Sequence, residues 1–353
     1  MNEKHDIGLV APLPPQTGGV ASFAQWLLDS AGEIGVEYRT FDLRRPLDGG
    51  VGGRLRGAAL GLQLAQLLRF ISWCRTAPRV VHYCVSLSGT GLPRDLVFVG
   101  LLRAFGRKTV AHVHGPAAGP NEVGLRNRAL LGVLARLSVR RVAVVVLDGW
   151  TFVPNPLRFV PESPPKRVGS ENVSVLAVGA YGRAKGSDVL IKALADARRQ
   201  GVPLTLAFVG HELHEGEESY LRRERAELGL EGLVTFAGVL DREEVAAAYS
   251  RADIFCLPSL REGLPMSLLE AMAFALPVVM TPVGAIPAIV ENERSGVLVA
   301  PSRPDGVAAA LVRLAQDPEL RRRLGEAASR RVRALCDQHE LAARWRSIYS
   351  ELA

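Results

Sequence analysis

Residues 254–280 read IFCLPSLREGLPMSLLEAMAFALPVVM. Ile254–Leu257 is an apolar run stopped by Pro258, and Pro277–Met280 opens a second apolar run. Met266–Phe274, between them, holds good helix formers and neither Gly nor Pro, and Pro265 suits the first position of a helix. The segment therefore reads strand, loop, helix, strand. Apolar runs without alternation fit strands covered on both faces, as in a parallel sheet with helices packed on each side.

The same alternation extends in both directions. On the C-terminal side of the chain, strands are predicted at Val173–Val178, Leu204–Val209, Val234–Phe236 and Val297–Val299, with helices at Ser187–Arg199, Tyr220–Leu228 and Arg242–Arg251. On the N-terminal side, strands are predicted at Asp6–Val10, Val36–Phe41, Arg79–Tyr83, Lys108–Val113 and Val142–Leu147, with helices such as Ser22–Ala31 and Arg126–Val139. Pro154, Asn155, Pro156, Pro161, Ser163, Pro164 and Pro165 interrupt the pattern and cannot sustain a helix or a central strand. The expected fold is thus α/β, two Rossmann-like doubly wound lobes over residues 1–160 and 161–338. A last helix, about residues 339–353, is placed either in the second lobe or back on the first. Ligands in such lobes bind outside the C-terminal ends of the strands. Neither half has a GxGxxG after its first strand, which disfavours a dinucleotide oxidoreductase.

The 353 residues suit two domains, and 48% hydrophobic with 22% charged residues is a globular balance. Cys74, Cys84, Cys256 and Cys336 form no CxxC pair and read as reduced, packed thiols without structural zinc. MNEKHDIGLVAP at the start lacks a signal-peptide pattern, so a cytoplasmic location is expected. Residues 1–160 hold 19 Lys and Arg against 10 Asp and Glu, while the remainder holds 24 against 26. The positive excess lies entirely in the first half, which suits an anionic membrane surface or an anionic acceptor, or only a solvated Arg-rich surface. Aromatic residues are 6% of the chain and are not interleaved with the basic ones, so nucleic acid is not an expected partner.

Glu262 to Glu270 is the segment that carries chemistry. A helix starting at Pro265 leaves the N–H groups of Met266, Ser267 and Leu268 without intrahelical partners, at the positive end of the helix dipole. That is an anion site suited to a diphosphate. Gly263 permits close backbone approach. Glu262 precedes the helix and Glu270 lies within it, so one ligand can meet carboxylates at both ends, where they accept from vicinal hydroxyls.

The string EGLPMSLLEAMAFALPVV, residues 262–279, resembles the Glu-x7-Glu signature of retaining glycosyltransferase family 4, which has the GT-B fold. FAGVLDREEVAAAYSRADIFCLPS before it and TPVGAIPAIVENERSGVLVAP after it match as well. The resemblance implies two lobes facing a central cleft. It implies that Glu262 hydrogen-bonds the donor sugar and that Glu270 holds the ribose hydroxyls of a nucleotide.

Three further segments fit this pattern. PPQTGGVAS, residues 14–22, puts Gly18 and Gly19 at a strand-to-helix turn and resembles the GGV loop that faces the donor diphosphate. His112-Val113-His114-Gly115 ends a strand-like run; residues two apart share a face, and a metal would need a third ligand that the neighbouring sequence does not offer. The resemblance points to His114 as the one contacting the donor sugar. Gly179 to Gly186 reads GAYGRAKG, a glycine-rich loop in which Lys185 and Arg183 can clamp a diphosphate. The family places an Arg where this chain has Ala180. A charged hydrogen bond is worth roughly 1.5–3 kcal/mol, so donor affinity is expected to suffer unless Arg183 compensates. A second departure follows strand Val142–Leu147, where Asp148-Gly149-Trp150 leads almost directly to Pro154-Asn155-Pro156, and a helix and strand of the family look shortened.

RLRGAALGLQLAQLLRFISWCR, residues 54–75, is too interrupted by Gln63, Gln66 and Arg69 to span a bilayer. Its terminal arginines and Trp73 suit either a helix lying in a membrane interface or a buried helix of the lobe. The resemblance implies transfer of a hexosyl group, with retention, from a UDP- or GDP-sugar to a saccharide or lipid-linked hydroxyl, in cell-surface polysaccharide or glycolipid assembly on the inner membrane face. No cofactor and no metal are expected. Catalytic roles fall to Glu262, His114 and Lys185, and donor binding to Gly18, Gly19, Arg183, Gly263, Met266, Ser267, Leu268 and Glu270. The alternative is a non-catalytic GT-B protein that binds nucleotide sugars or scaffolds another transferase. Another GT-B enzyme, an epimerase or a phosphorylase, is less favoured, the latter because its cofactor lysine signature is missing.

Overall fold

A computed structural model describes residues 5–13, 19–43, 56–85, 91–114, 125–143, 149–157, 161, 172–202 and 204–353. The chain divides into two compact units. One holds the described residues up to Pro156 together with Gln338–Ala353, and the other holds those from Leu157 to Asp337.

The first unit runs β1 (His5–Ala11), α1 (Gly19–Asp29), α2 (Ala31–Ile34), β2 (Val36–Asp42), α3 (Arg56–Thr76), β3 (Val80–Val85), α4 (Gly91–Ala104), β4 (Lys108–Val113), α5 (Leu125–Leu137), β5 (Arg140–Ala143) and β6 (Thr151–Phe152). All pairings are parallel, in the order β2-β1-β3-β4-β5-β6. The order reverses between β1 and β3, the switch point of a doubly wound sheet. Ile7, Leu9, Val80, Cys84, Val110 and Val142 face a core that also contains Phe23 and Leu27 of α1. The family strand thought shortened is present as the two residues of β6, paired with β5.

The second unit runs β7 (Val173–Val178), a 3-10 turn at Arg183–Lys185, α6 (Ser187–Arg199), β8 (Leu204–Val209), α7 (Glu217–Glu227), β9 (Val234–Phe236), α8 (Arg242–Arg251), β10 (Ile254–Leu257), α9 (Met266–Ala273), β11 (Val278–Met280), α10 (Ile286–Ile289), β12 (Val297–Leu298), α11 (Pro304–Gln316) and α12 (Pro318–Leu335). Its parallel sheet is ordered β12-β11-β10-β7-β8-β9, with the switch point between β10 and β7. Each unit is thus a doubly wound sheet of six parallel strands, as the GT-B resemblance implies.

The final helix, α13 (Gln338–Ser350), belongs to the first unit. Leu341, Trp345, Ile348 and Tyr349 enter the core beneath β1, β3 and β4. Lys108 Nζ donates to the Leu352 carbonyl at 2.8 Å, and Arg346 donates to the carbonyl of Ile34.

Trp73 of α3 packs inward. Its ring lies 5.7 Å from Phe41 and 5.8 Å from Phe70, and it covers Gly8, where a Cβ would sit 2.9 Å from the indole. Trp73 is half-buried, and this inward packing fits the buried-helix alternative for that side of α3. Leu62, Leu64 and Leu68 on the same helix are exposed instead. Among the described residues, no helix is long and apolar enough to cross a membrane.

Candidate active site

The second unit gathers its polar side chains at the β10–β7 switch point. β7 ends at Val178 and β10 at Leu257, and the loops beyond them line a small recess open to solvent. Gly179, Ala180, Tyr181, Lys185, Leu257 and Pro258 form its wall. The loops meet closely. Gly186 has φ +66°, and a Cβ there would lie 2.1 Å from the Pro258 carbonyl oxygen, so only glycine fits.

Lys185 Nζ donates to Glu262 Oε1 at 2.7 Å, a contact across 77 residues of sequence. Ser259 Oγ donates to the same oxygen at 2.7 Å. Ser259 is fully buried, and Thr281 Oγ1 holds its carbonyl. Glu262 is buried, as a carboxylate can be when a cation and a hydroxyl both serve it. Gly284, with φ +59°, presses on this loop from the other side. A Cβ there would lie 2.2 Å from the Glu262 carbonyl oxygen, and the next amide, Ala285, donates to Gly263 O at 2.8 Å. Ser259, Thr281 and Gly284 escaped the sequence reading because each acts through the Glu262 loop and carries no motif of its own.

α9 begins one residue later than expected. Pro265 is its N-cap, with extended backbone, and Met266 is the first helical residue. The Leu268 amide donates to Pro265 O at 3.2 Å, and Leu268 is buried. The anion donors at this helix start are therefore the amides of Met266 and Ser267, a correction to the expected three. Glu270 is buried about one turn further along the helix, where Tyr249 of α8 donates its hydroxyl to Glu270 Oε2 at 3.0 Å. Burial and the adjacent carboxylate push the Tyr249 phenol well above its ordinary pKa, so it stays a donor.

Arg183 does not stand beside Lys185. Its guanidinium pairs with Glu217 at 3.5 Å and lies over the Tyr220 ring, 5.3 Å from the centroid, at the start of α7. Nothing polar on Ala180 replaces the family arginine, so in this conformation Lys185 is the cation at the recess.

In the first unit, Gly19 opens α1 with space where a Cβ would be. Gly18 lies outside the described residues. His112, at the end of β4, is fully buried, and His114 follows the strand with part of its surface exposed. Parallel pairing sets Cys84 of β3 opposite His112, which brings His82 of β3 onto the same face. His82, Cys84 and His112 thus place ligand-type atoms within 4.8 Å of one another. This corrects the expectation that no third ligand lies near the histidines. The chemistry of the group is nonetheless that of a hydrogen-bonded cluster. Both His82 nitrogens are engaged, by Tyr349 and His112, and burial pushes the Cys84 thiol up and keeps it protonated.

Residues 162–331 match the family model of glycosyl transferases group 1. The match to the group 1 glycosyltransferases thus takes in most of the second unit, just under half of the chain. The amylovoran biosynthesis glycosyltransferase AmsK of Erwinia amylovora is 35% identical over 149 residues, covering 40% of this chain and 36% of that protein. The MMP alpha-(1->4)-mannosyltransferase of Mycolicibacterium hassiacum is 35% identical over 127 residues, covering 36% and 31%. The alignments thus span about a third of these relatives' length. Two solved structures share the fold across the whole chain. Sucrose-phosphate synthase from Thermosynechococcus elongatus superposes with TM-score 0.76 at 21% identity over 99% of both chains. Anabaena HepE, solved with UDP and glucose, superposes with TM-score 0.72 at 16% identity over 98% of this chain and 99% of that one. The matched segment contains every residue lining the recess, and also Ser259, Glu262, Tyr249 and Glu270.

Proposed function

We propose that this protein is a retaining glycosyltransferase that moves a hexosyl group from a UDP- or GDP-sugar to a hydroxyl of a saccharide or lipid-linked acceptor, in surface polysaccharide or glycolipid assembly. The observation that carries the reading is the Lys185–Glu262–Ser259 cluster at the switch point, beside the start of α9. Lys185 brings a cation to the recess and holds the Glu262 carboxylate beside it, and α9, which opens four residues after Glu262, adds two helix-start amides, the set a sugar diphosphate needs. The names of relatives such as AmsK, and the UDP and glucose in the HepE structure, support the same class of substrate.

The chemistry follows from charge. As the glycosidic bond to the diphosphate breaks, negative charge grows on the leaving oxygens. Lys185 and the amides of Met266 and Ser267 are already oriented to receive it, which lowers the barrier without reorganisation. Lys185 then has to share itself between Glu262 and phosphate, which frees Glu262 Oε1 to accept from a sugar hydroxyl. Glu270, held by Tyr249, accepts from the ribose. His114 is assigned to the sugar, and the retaining outcome rests on the family resemblance. Neutralisation by Lys185 and amides needs no metal, so transfer is expected to persist in chelator.

Purified protein with UDP-, GDP- and ADP-sugars tests the reading by thermal shift and by sugar release. A ligand at a hundred times its dissociation constant adds roughly 2.7 kcal/mol. Stabilisation by one nucleotide only, with release of the sugar, is the expected result. The second reading, a non-catalytic nucleotide-sugar binder, is favoured by Ala180 and by the turning of Arg183 toward Glu217. It predicts a shift without release.

The positive first half and the exposed Leu62, Leu64 and Leu68 support attachment to an anionic membrane through α3.

A further inference from the structure

A row of hydrogen bonds threads the core of the first unit and ends on His114, the residue assigned above to the sugar. Tyr38 OH donates to Tyr349 OH at 3.2 Å. Tyr349 OH meets His82 Nδ1 at 2.6 Å. His82 Nε2 meets His112 Nδ1 at 3.0 Å, and His112 Nδ1 meets His114 Nε2 at 3.0 Å. The row starts on β2, crosses to α13, returns through β3 and β4 and ends on His114. His82, His112 and Tyr349 have no exposed surface, and Phe23 and Trp345 close around the imidazoles.

Each neutral imidazole has one donor nitrogen and one acceptor nitrogen, so fixing one link fixes the next. The link that decides is Tyr349 to His82. A phenol O–H is more acidic than a neutral imidazole N–H, and imidazole nitrogen is the better acceptor, so the short bond is O–H to N. His82 Nδ1 is then bare, and its proton is on Nε2, donated to His112 Nδ1. His112 Nδ1 is therefore an acceptor and carries no proton. His114 Nε2 faces that same atom, so a bare Nε2 would set two lone pairs against each other, and His114 instead shares the His112 Nδ1 lone pair with His82 as a second, weaker donor. His114 Nδ1 is left bare. The His112 proton falls on Nε2, a buried atom with no hydrogen-bond partner among the described residues. It is surrounded by the rings of Phe23 and Trp345, with centroids 4.7 and 5.0 Å from that of His112.

We infer that Tyr349, His82 and His112 are positioning residues that hold His114 as its Nε2–H tautomer, so that His114 presents Nδ1 as a hydrogen-bond acceptor for a ligand hydroxyl. The C-terminal helix thus sets the chemistry of a residue more than two hundred positions before it. This rests on the proposed sugar-transfer reading only for the identity of the hydroxyl, which belongs to the donor sugar.

The test is the full chain labelled with 15N-histidine, its ring nitrogens read by long-range proton–nitrogen correlation at neutral pH without ligand. Signals are assigned with His114→Gln and His82→Asn. The expected spectrum has Nε2–H and bare Nδ1 on His82, His112 and His114. In Tyr349→Phe, which removes one oxygen and keeps the ring, His114 is expected to become a mixture of tautomers. The same variant is expected to lower kcat about ten-fold, the size of one neutral hydrogen bond, with the donor KM little changed. In a His114→Gln background the Tyr349 effect on kcat should vanish. An Nδ1–H signal on His114 in the wild-type protein overturns the inference, as does a His114 tautomer untouched by Tyr349→Phe. The spectra need no sugar nucleotide. The expected spectra without any transfer would leave the hydrogen-bonded row standing and remove the transferase reading instead.

Discussion

Glu262 shows how much a single residue depends on its neighbours here. One carboxylate oxygen takes both Lys185 and Ser259, and the carbonyl of the same residue lies against Gly284. Ser259→Ala removes a buried hydroxyl donor and is expected to cost about 1 kcal/mol of stability while lowering turnover. Chemical denaturation alongside initial rates separates the two effects. Gly284→Ala forces a side chain into left-handed backbone and into the Glu262 carbonyl, so a loss of more than about 1 kcal/mol is expected. An unchanged denaturation midpoint would contradict the close packing described. Lys185→Ala and Glu262→Ala should each reduce transfer by at least about a hundred-fold, as loss of preorganised charge stabilisation does. Near wild-type rates in both would defeat the catalytic assignment. Glu262, Glu270 and Lys185 could be named from their strings. Ser259, Tyr249 and Gly284 could not, because a buried hydroxyl and a close-packed glycine look ordinary in a sequence.

At the scale of elements, β3, β4 and α13 bury three imidazoles in an apolar layer. Desolvation holds His82 and His112 well below the ordinary histidine pKa, with the neighbouring His114 adding to it. Phe23 and His112 enclose the His114 ring, though part of the residue reaches solvent, and burial lowers it to about 3. Unfolding returns all three to about 6.5. The unfolded chain therefore binds more protons than the folded one below that pH, and stability must fall as pH falls. The contribution is fully present above about pH 6.5 and is lost progressively in acid. Melting temperature measured from pH 8 to 4 should be flat at first and then decline. His114→Gln should make the decline shallower, and an identical slope would show that His114 does not contribute. A second element, α3, packs Trp73 over Gly8 and against Phe41 and leaves Leu62, Leu64 and Leu68 outside. Its register could not be read from composition, because leucines and arginines are scattered around the helix rather than confined to one stripe.

At the scale of the molecule, charge separates by half, 19 basic against 10 acidic residues over 1–160 and 24 against 26 beyond. Binding to anionic vesicles should therefore weaken with salt, as screening shortens to about 8 Å at physiological ionic strength. Flotation with anionic and neutral lipid at low and high salt checks this, and Leu64→Glu with Leu68→Glu should abolish what salt leaves. Binding equal on neutral lipid, or absent throughout, removes the membrane proposal.

The sequence by itself determined the two α/β sheets, most of their strands and the group of residues from Glu262 to Glu270. Those follow from apolar runs, helix formers and prolines acting over a few residues, and local preferences survive without knowledge of the rest of the chain. Tertiary structure decided the rest. It joined Lys185 to Glu262, turned Arg183 away to Glu217, returned α13 to the first sheet and aligned Tyr349 with His82, His112 and His114. Such pairings depend on strand order and register over tens to hundreds of residues, and no periodicity along the chain encodes which buried polar groups will meet.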